Sequence, residues 1–340
     1  MHVGRRYKMT DFIVWTRWEA SCLAFWSLVV TSFLQVSKWT FLTVPAPILT
    51  IVGSALAIVI AFKNQQCYAR FNEALTVSTQ LSSSSLVLAN KLTSTIGSLD
   101  PNRSGPQLKE MFNRHFAWLT ALRHFLRGRT AWENALEAGN ARFLAKLPTP
   151  ESQTTLNEEL KAYLSEVALE KVSIHRGDKG ALILHWQYES IRSLRDQQLI
   201  SEYLLVVLTN TLDDLARLQG ALKRIKRYPY ARNYYSIAVF LVAAFVAIVP
   251  FALFPYAQDL GKAAGIEHWT TWLNVPFSAT VGWLFVSLEK VGENSSNPFE
   301  GGSNDVPISS IARTIEIEMR TMLGETINLS PIEPKRDILF

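Results

Sequence analysis

Four stretches of this 340-residue chain carry no charged residue and are apolar on nearly every helical face: Cys22–Val36, Val44–Phe62, Tyr234–Phe254 and Thr270–Leu288. A helix that crosses a bilayer needs roughly 20 apolar residues, with about 17–25 the working range. The last three stretches have that length, and the first reaches it only with its flanks. A soluble protein would have to bury such helices all round, which is uncommon even once. Four of them, in two close pairs, predict four membrane spans. The second stretch ends abruptly: Phe62 is followed by Lys63, Asn64, Gln65 and Gln66, which places Lys63 onward in water.

Between the pairs the pattern changes to that of a soluble helical domain. Gln107–Gly128 repeats apolar residues every three or four positions (Met111, Phe112, His115, Phe116, Leu119, Leu122, Phe125, Leu126), with Gly128 as a stop signal. The stretch from Glu151 to Leu169 and that from Ala181 to Gln198 read as further amphipathic helices. Glu202–Arg227 is a long one, with Leu204, Leu208, Leu212, Leu215 and Leu218 near one stripe. After Leu288 the chain turns polar and loop-like through Glu289–Pro307, and Ile308–Glu325 reads as a final helix. There is no strand alternation and no internal repeat. The expected organisation is residues 1–62 with spans one and two, 63–233 as a helical domain, 234–288 with spans three and four, and 289–340 as a loop and helix.

Charge sets the orientation. Arg5, Arg6, Lys8 and Arg17 lead into the first span, Lys63 and Arg70 follow the second, and Lys223, Arg224, Lys226, Arg227 and Arg232 precede the third. The two short connections hold only Lys38 and, between spans three and four, Asp259, Lys262 and Glu267. The positive-inside rule puts both termini and the long middle in the cytoplasm, with Trp39, Trp269 and Trp272 in an interfacial belt. The N-terminus lacks the pattern of a cleaved signal peptide. Net charge is +5 with no dense basic block, so nucleic acid is not an expected partner.

Chemistry of the enzymatic kind is missing from the pattern. Neither the metalloprotease, serine-hydrolase and P-loop motifs nor a nucleotide fingerprint occurs, so no enzyme and no catalytic residue is expected. Cys22 and Cys67 lie in or beside apolar helices and read as small hydrophobes. His115 and His124 are too far apart in the helix to form a ligand pair, and read as packing or hydrogen-bonding residues. Asp213 and Asp214 point about 100° apart on a helix, as in a solvated or salt-bridged turn.

One stripe stands out. Ser54, Ile58 and Phe62 are four residues apart and stack along one face of the second span, with Thr50 above them. Two such steps make the stripe about 12 Å tall. Gly53, Ser54 and Ala55 leave room for close helix approach. The stripe is either an ordinary helix contact or, repeated around an axis by several chains, a hydrophobic constriction of the kind that gates by dewetting.

The sequence from Gly53 to Phe71, with its hydrophobic run, Phe62, a basic residue, Asn64 and then Tyr68-x-Arg70-Phe71, resembles the bestrophin family of ion channels in its bacterial branch. So do Trp18–Ser21, Ala117–Arg127 with its Leu-Arg-His-x-Leu-Arg pattern, Arg224–Tyr234, Val249–Leu253 and Asn297–Ile308. These matches run in order over most of the chain. The resemblance implies an all-α membrane protein, with four transmembrane helices and a large cytoplasmic helical domain, assembling as a homopentamer around one axial pore in a bacterial inner membrane. It implies contact with membrane lipid and permeating small monovalent ions, chloride or other anions by family, with sodium or potassium the other possibility. Ser54, Ile58 and Phe62 match the pore neck, although Ser54 stands where a bulky apolar residue is usual. A second, cytoplasmic aperture falls at Tyr203, with Glu202 beside it. Animal relatives carry an acidic calcium clasp after the fourth span. Here only a remnant, Asn304 and Asp305, stands in its place, and calcium takes six to eight oxygen ligands. Neither a metal cofactor nor a calcium switch is expected, and the remnant is expected to cap or brace the final helix. The other functional classes compatible with the chain are a transporter, which would show inverted repeats, and a non-conducting membrane scaffold.

Overall fold

The computed structural model describes residues 1–96, 101–134, 138–229, 231–262, 265–326 and 328–340. Among these the regular structure is helical, apart from isolated bridges that pair Ile338 with His2 and with Lys335. The helices are α1 (Met9–Ser37), α2 (Ala46–Ile96), α3 (Pro101–Arg127), α4 (Ala138–Lys146), α5 (Pro150–Gln153), α6 (Leu156–Leu160), α7 (Glu166–Ile174), α8 (Lys179–Asp196), α9 (Glu202–Arg227), α10 (Arg232–Lys262), α11 (Glu267–Thr270), α12 (Asn274–Asn294) and α13 (Ile308–Met322). They fall into two compact units. One comprises Arg5–Ala69 and Tyr230–Ser296, the other Met1–Gly4, Arg70–Pro229 and Asn297–Phe340.

The apolar unit holds α1, the start of α2, and α10 to α12. By length and composition, three helical segments of the described residues suffice to cross a membrane: Met9–Ser37, Ala46–Ile96 and Glu202–Lys262. α12 is not among them, because Asn274, Ser278, Glu289, Lys290 and Glu293 dilute its apolar run. α1 is longer than the apolar stretch inside it and is capped by Lys38, whose N–H still bonds the Leu34 carbonyl and whose left-handed backbone (φ 55) turns the chain out of the helix. α2 begins at Ala46 with Pro47 in its first turn, where the missing N–H costs nothing.

α1 and α10 both pack along α12. Small residues mark the closest approaches. A Cβ at Gly53 would lie 3.1 Å from the Phe245 ring, and one at Gly282 would lie 3.1 Å from Leu23. α10 runs on through Pro250 and Pro255. Polar side chains tie α12 to its neighbours inside this apolar unit: Asn274 Nδ2 donates to the Pro250 carbonyl at 3.0 Å and to Thr31 Oγ1 at 2.9 Å, and Ser278 Oγ donates to Asn274 Oδ1 at 2.9 Å.

The second unit is built on a broad core in which Phe112, Trp118, Leu122, Leu126, Leu208, Leu212 and Leu215 are buried. The leucine stripe predicted for Glu202–Arg227 therefore faces this core, and Ser201 caps that helix through the Leu204 N–H. The stretch from Glu151 to Leu169 is not one helix. Thr155 and Glu158 form a reciprocal capping box that starts α6, and Ser165 caps α7. Such caps satisfy backbone N–H groups that only a helix start leaves free, so the polar spacing breaks the stretch into α5, α6 and α7. One further expectation is corrected: Glu289–Asn294, expected to be loop-like, is the last part of α12. The helix that carries Phe62 runs on past the apolar stretch to Ile96.

Candidate ion pathway

The first part of α2 sorts its side chains by face. Leu56 and Ile60 are buried, each 2% exposed, in a cluster with Val242, Phe245 and Val249 of α10. The other side of the helix carries Thr50, Ser54, Ile58 and Phe62, all exposed. Ile58 keeps 57% and Phe62 68% of its surface open. The chain thus uses one side of α2 for its own packing and leaves the polar-then-apolar stripe uncovered.

Immediately below Phe62 the sequence expectation fails. Lys63 is not in water: it is 3% exposed, and its ammonium pairs with the Glu289 carboxylate of α12 while lying 4.4 Å from the centre of the Tyr235 ring. The Tyr235 hydroxyl donates to Glu293. Asn64 Nδ2 donates to the Leu288 carbonyl at 2.9 Å, and a side chain at Gly292 would collide with Asn64. One turn of α2 is therefore locked to α12 by an ion pair and a side-chain bond to backbone, and to α10 by a cation–ring contact. Reading from residue to residue missed this because the counter-charge is 226 positions away. The only local signal was Glu289 itself, directly after an apolar run.

Glu202 and Tyr203 occupy the first turn of α9. Tyr203 is 76% exposed. Glu202 is also open to solvent, with Arg195 the nearest cation at 3.8 Å. Asp305 and Asn304 part company. Asp305 is buried and accepts the N–H groups of Gly301 and Gly302, at 3.0 Å for Gly302, whereas Asn304 is exposed. The residue at the cap position of α13 is Pro307, with no side-chain cap, so Asp305 closes its own turn instead of capping the final helix. No group of three or more His, Cys, Asp or Glu with metal-holding geometry occurs among the described residues.

The remaining motif residues form electrostatic ties within the second unit. Arg123 pairs with Glu151 at 2.6 Å and with Glu159, Arg127 lies 3.7 Å from Glu151 and 3.6 Å from Asp305, and Ser309 donates to Glu151 at 2.5 Å. His124 reaches Glu159 at 3.0 Å. Of the basic residues before α10, Lys223 pairs with Asp178, Lys226 with Glu133 and Arg224 with Glu73, while Arg70 donates to the Ile225 and Tyr228 carbonyls at the end of α9. Asp213 and Asp214 bind Tyr188 at 2.6 Å and Arg217 at 2.5 Å, as a salt-bridged turn. Glu300 accepts from Asn297 at 2.7 Å and from the Asn134 N–H at 3.0 Å. Burial first, then the neighbouring Asp305 and Glu133, push its carboxyl up to about 8.

The chain matches known proteins along nearly its whole length. The voltage-dependent anion channel-forming protein YneE of Salmonella typhi is 28% identical over 278 residues, which cover 81% of this chain and 76% of that one. The protein of the same name from Escherichia coli K12 is 27% identical over 288 residues, 84% and 80% of the two chains. A crystal structure of a bacterial bestrophin homologue from Klebsiella pneumoniae matches the fold with a TM-score of 0.73 at 20% identity, over 91% of this chain and 99% of that one. The sequence model of the Bacterial/Fungal Bestrophin protein family covers residues 14–321, and the chain belongs to that family.

Proposed function

We propose that the protein is a homopentameric anion channel of the bestrophin type in a bacterial inner membrane. α1, the first part of α2, α10 and α12 span the membrane, both termini lie in the cytoplasm, and five copies of α2 line one axial pore. The observation that carries this reading is the uncovered stripe on α2. Ser54, Ile58 and Phe62 are exposed while the opposite face of the same helix is packed. Brought to an axis five times, they make a ring of hydroxyls above two apolar rings. Such a neck passes ions by controlling wetting. Phe62 adds a preference of sign, because an aromatic ring is electropositive at its edge. Glu202 and Tyr203, open on the first turn of α9, form the cytoplasmic aperture. The names of the enteric relatives support an anion as the permeant species. The short acidic remnant at Asp305, occupied with its own turn, supports conduction without a calcium switch.

The test is to purify the protein, measure its mass in detergent and record from planar bilayers in a potassium chloride gradient. A pentamer giving single-channel steps that reverse near the chloride potential, with a conductance altered by Phe62→Ala, is the expected result. Reversal near the potassium potential rejects the anion reading, and a silent, well-folded pentamer rejects the channel.

A further inference from the structure

We infer that the buried Lys63–Glu289 pair keeps the inner end of the neck electrically neutral, each partner cancelling a charge that would otherwise bias which ions pass. The inference rests on the reading of Phe62 as the lowest neck residue. Lys63 is the next residue along α2 and so lies about 100° around the helix from Phe62. In five copies it would be a ring of five ammonium groups just behind the narrowest apolar ring. Buried charges are screened far less than exposed ones, so such a ring would act strongly on ions in the neck.

The structure gives that charge an equal and opposite partner and keeps the pair dry. The Lys63 and Glu289 side chains are 2% and 9% exposed. The Tyr235 ring covers the ammonium at 4.4 Å, and the same tyrosine is fixed by its bond to Glu293. Asn64 on the Leu288 carbonyl holds the two helices in register beside the pair. The glycine at 292 leaves the Asn64 side chain the room it occupies there, since a Cβ at 292 would collide with it. The pair is thus a neutral dipole by construction, and each partner alone would be a bare charge of known sign.

This predicts opposite effects from the two single substitutions. Glu289→Gln leaves Lys63 uncompensated and raises the chloride-to-sodium permeability ratio. Lys63→Met leaves Glu289 uncompensated and lowers it. Each change is expected to be about threefold or more, on the order of half a pKa unit's worth of interaction per ion. Each variant is recorded against the unmodified protein at the same neutral pH. The neutral double variant Lys63→Met with Glu289→Gln, and the reversed pair Lys63→Glu with Glu289→Lys, are expected to return the ratio to its original value.

Shifts of the single variants in the same direction, or no shift in pentamers that still conduct, overturn the inference. If the single variants fail to assemble, the double and reversed variants decide it: a conducting channel with altered selectivity overturns it, and an unaltered ratio supports it. A protein that does not conduct, or whose conductance ignores Phe62→Ala, removes the pore reading and this inference with it. A channel sensitive to Phe62→Ala but with unshifted single variants overturns the role of the pair alone.

Discussion

His115 is wholly buried on α3, with its ring 5.0 Å from that of Trp118, and neither ring nitrogen has a hydrogen-bond partner. Burial alone depresses its pKa to about 3, so the folded protein holds it neutral. A base whose folded value is depressed contributes stability above its unfolded value, near 6.5, that is lost as pH falls toward 3. An apolar residue of similar volume removes two unsatisfied buried groups, and such exchanges are neutral or stabilising. His115→Leu is therefore expected to gain about 1 kcal/mol at pH 7 and more at pH 5, seen as a rise in Tm that widens on acidification. An equal loss at both pH values would show that the ring is needed for packing. Glu300 works in the other direction. Its folded value of about 8 lies above that of an exposed carboxylate, so its contribution is complete below about pH 4.3 and fades as pH rises through 8. Glu300→Gln keeps an acceptor for Asn297 and the Asn134 N–H. It should melt at a higher temperature than the parent at pH 8.5 and with no advantage at pH 4.5. A parallel pair of melting curves across that range would contradict the assignment. Ser54, the polar member of the neck proposed above, offers a conductance test at the same scale. Ser54→Ile should lower single-channel conductance by making the upper ring drier, and an unchanged conductance would remove Ser54 from the neck.

At the scale of elements, the structure depends on pairings between segments far apart in the chain. Glu133, in the turn after α3, and Lys226, in the last turn of α9, form an ion pair with 3% and 5% of their side chains exposed. Breaking a buried pair by removing one partner costs about 3–5 kcal/mol, because the other charge stays buried, whereas removing both together is often neutral. Glu133→Gln and Lys226→Met should each lower the Tm sharply, while the double variant should recover most of the loss. A double variant as unstable as the sum of the two would mean that each residue acts through separate contacts. The same scale explains what the sequence disclosed. Helix positions in Gln107–Gly128 and Glu202–Arg227 were legible because a 3.6-residue period records which face is buried. Ser54, Ile58 and Phe62 were legible as one face for the same reason, but not as an uncovered one. Lys63 was not, because local composition says nothing of Glu289 on a distant helix. The breaks at Thr155 and Ser165 were hidden because a capping residue and a polar surface residue look alike until the backbone turns. Lys223, Arg224 and Lys226 counted as orienting charges, but here each holds a carboxylate.

At the scale of the molecule, the apolar unit leaves much large hydrophobic surface open: Phe25, Ile58, Phe62 and Phe240 are each more than half exposed. A single chain cannot satisfy that surface in water. Lipid covers it in any membrane protein, but only an axial assembly brings one residue against its own copy. Ile58 should meet Ile58 of the neighbouring copies, whereas Ile60, 2% exposed and packed on α10, should not. The two native cysteines are free, Cys22 exposed and Cys67 buried, so both are first changed to serine. In that background, Ile58→Cys is expected to give a disulfide-linked dimer on mild oxidation, since a disulfide needs Cα atoms within about 7 Å. Ile60→Cys should stay monomeric on a non-reducing gel. The cross-linked Ile58 variant should also lose conductance and regain it on reduction. Efficient cross-linking through residue 60 but not 58 would mean that the packed face, not the open stripe, lies at the axis, and the neck would have to be drawn on other residues.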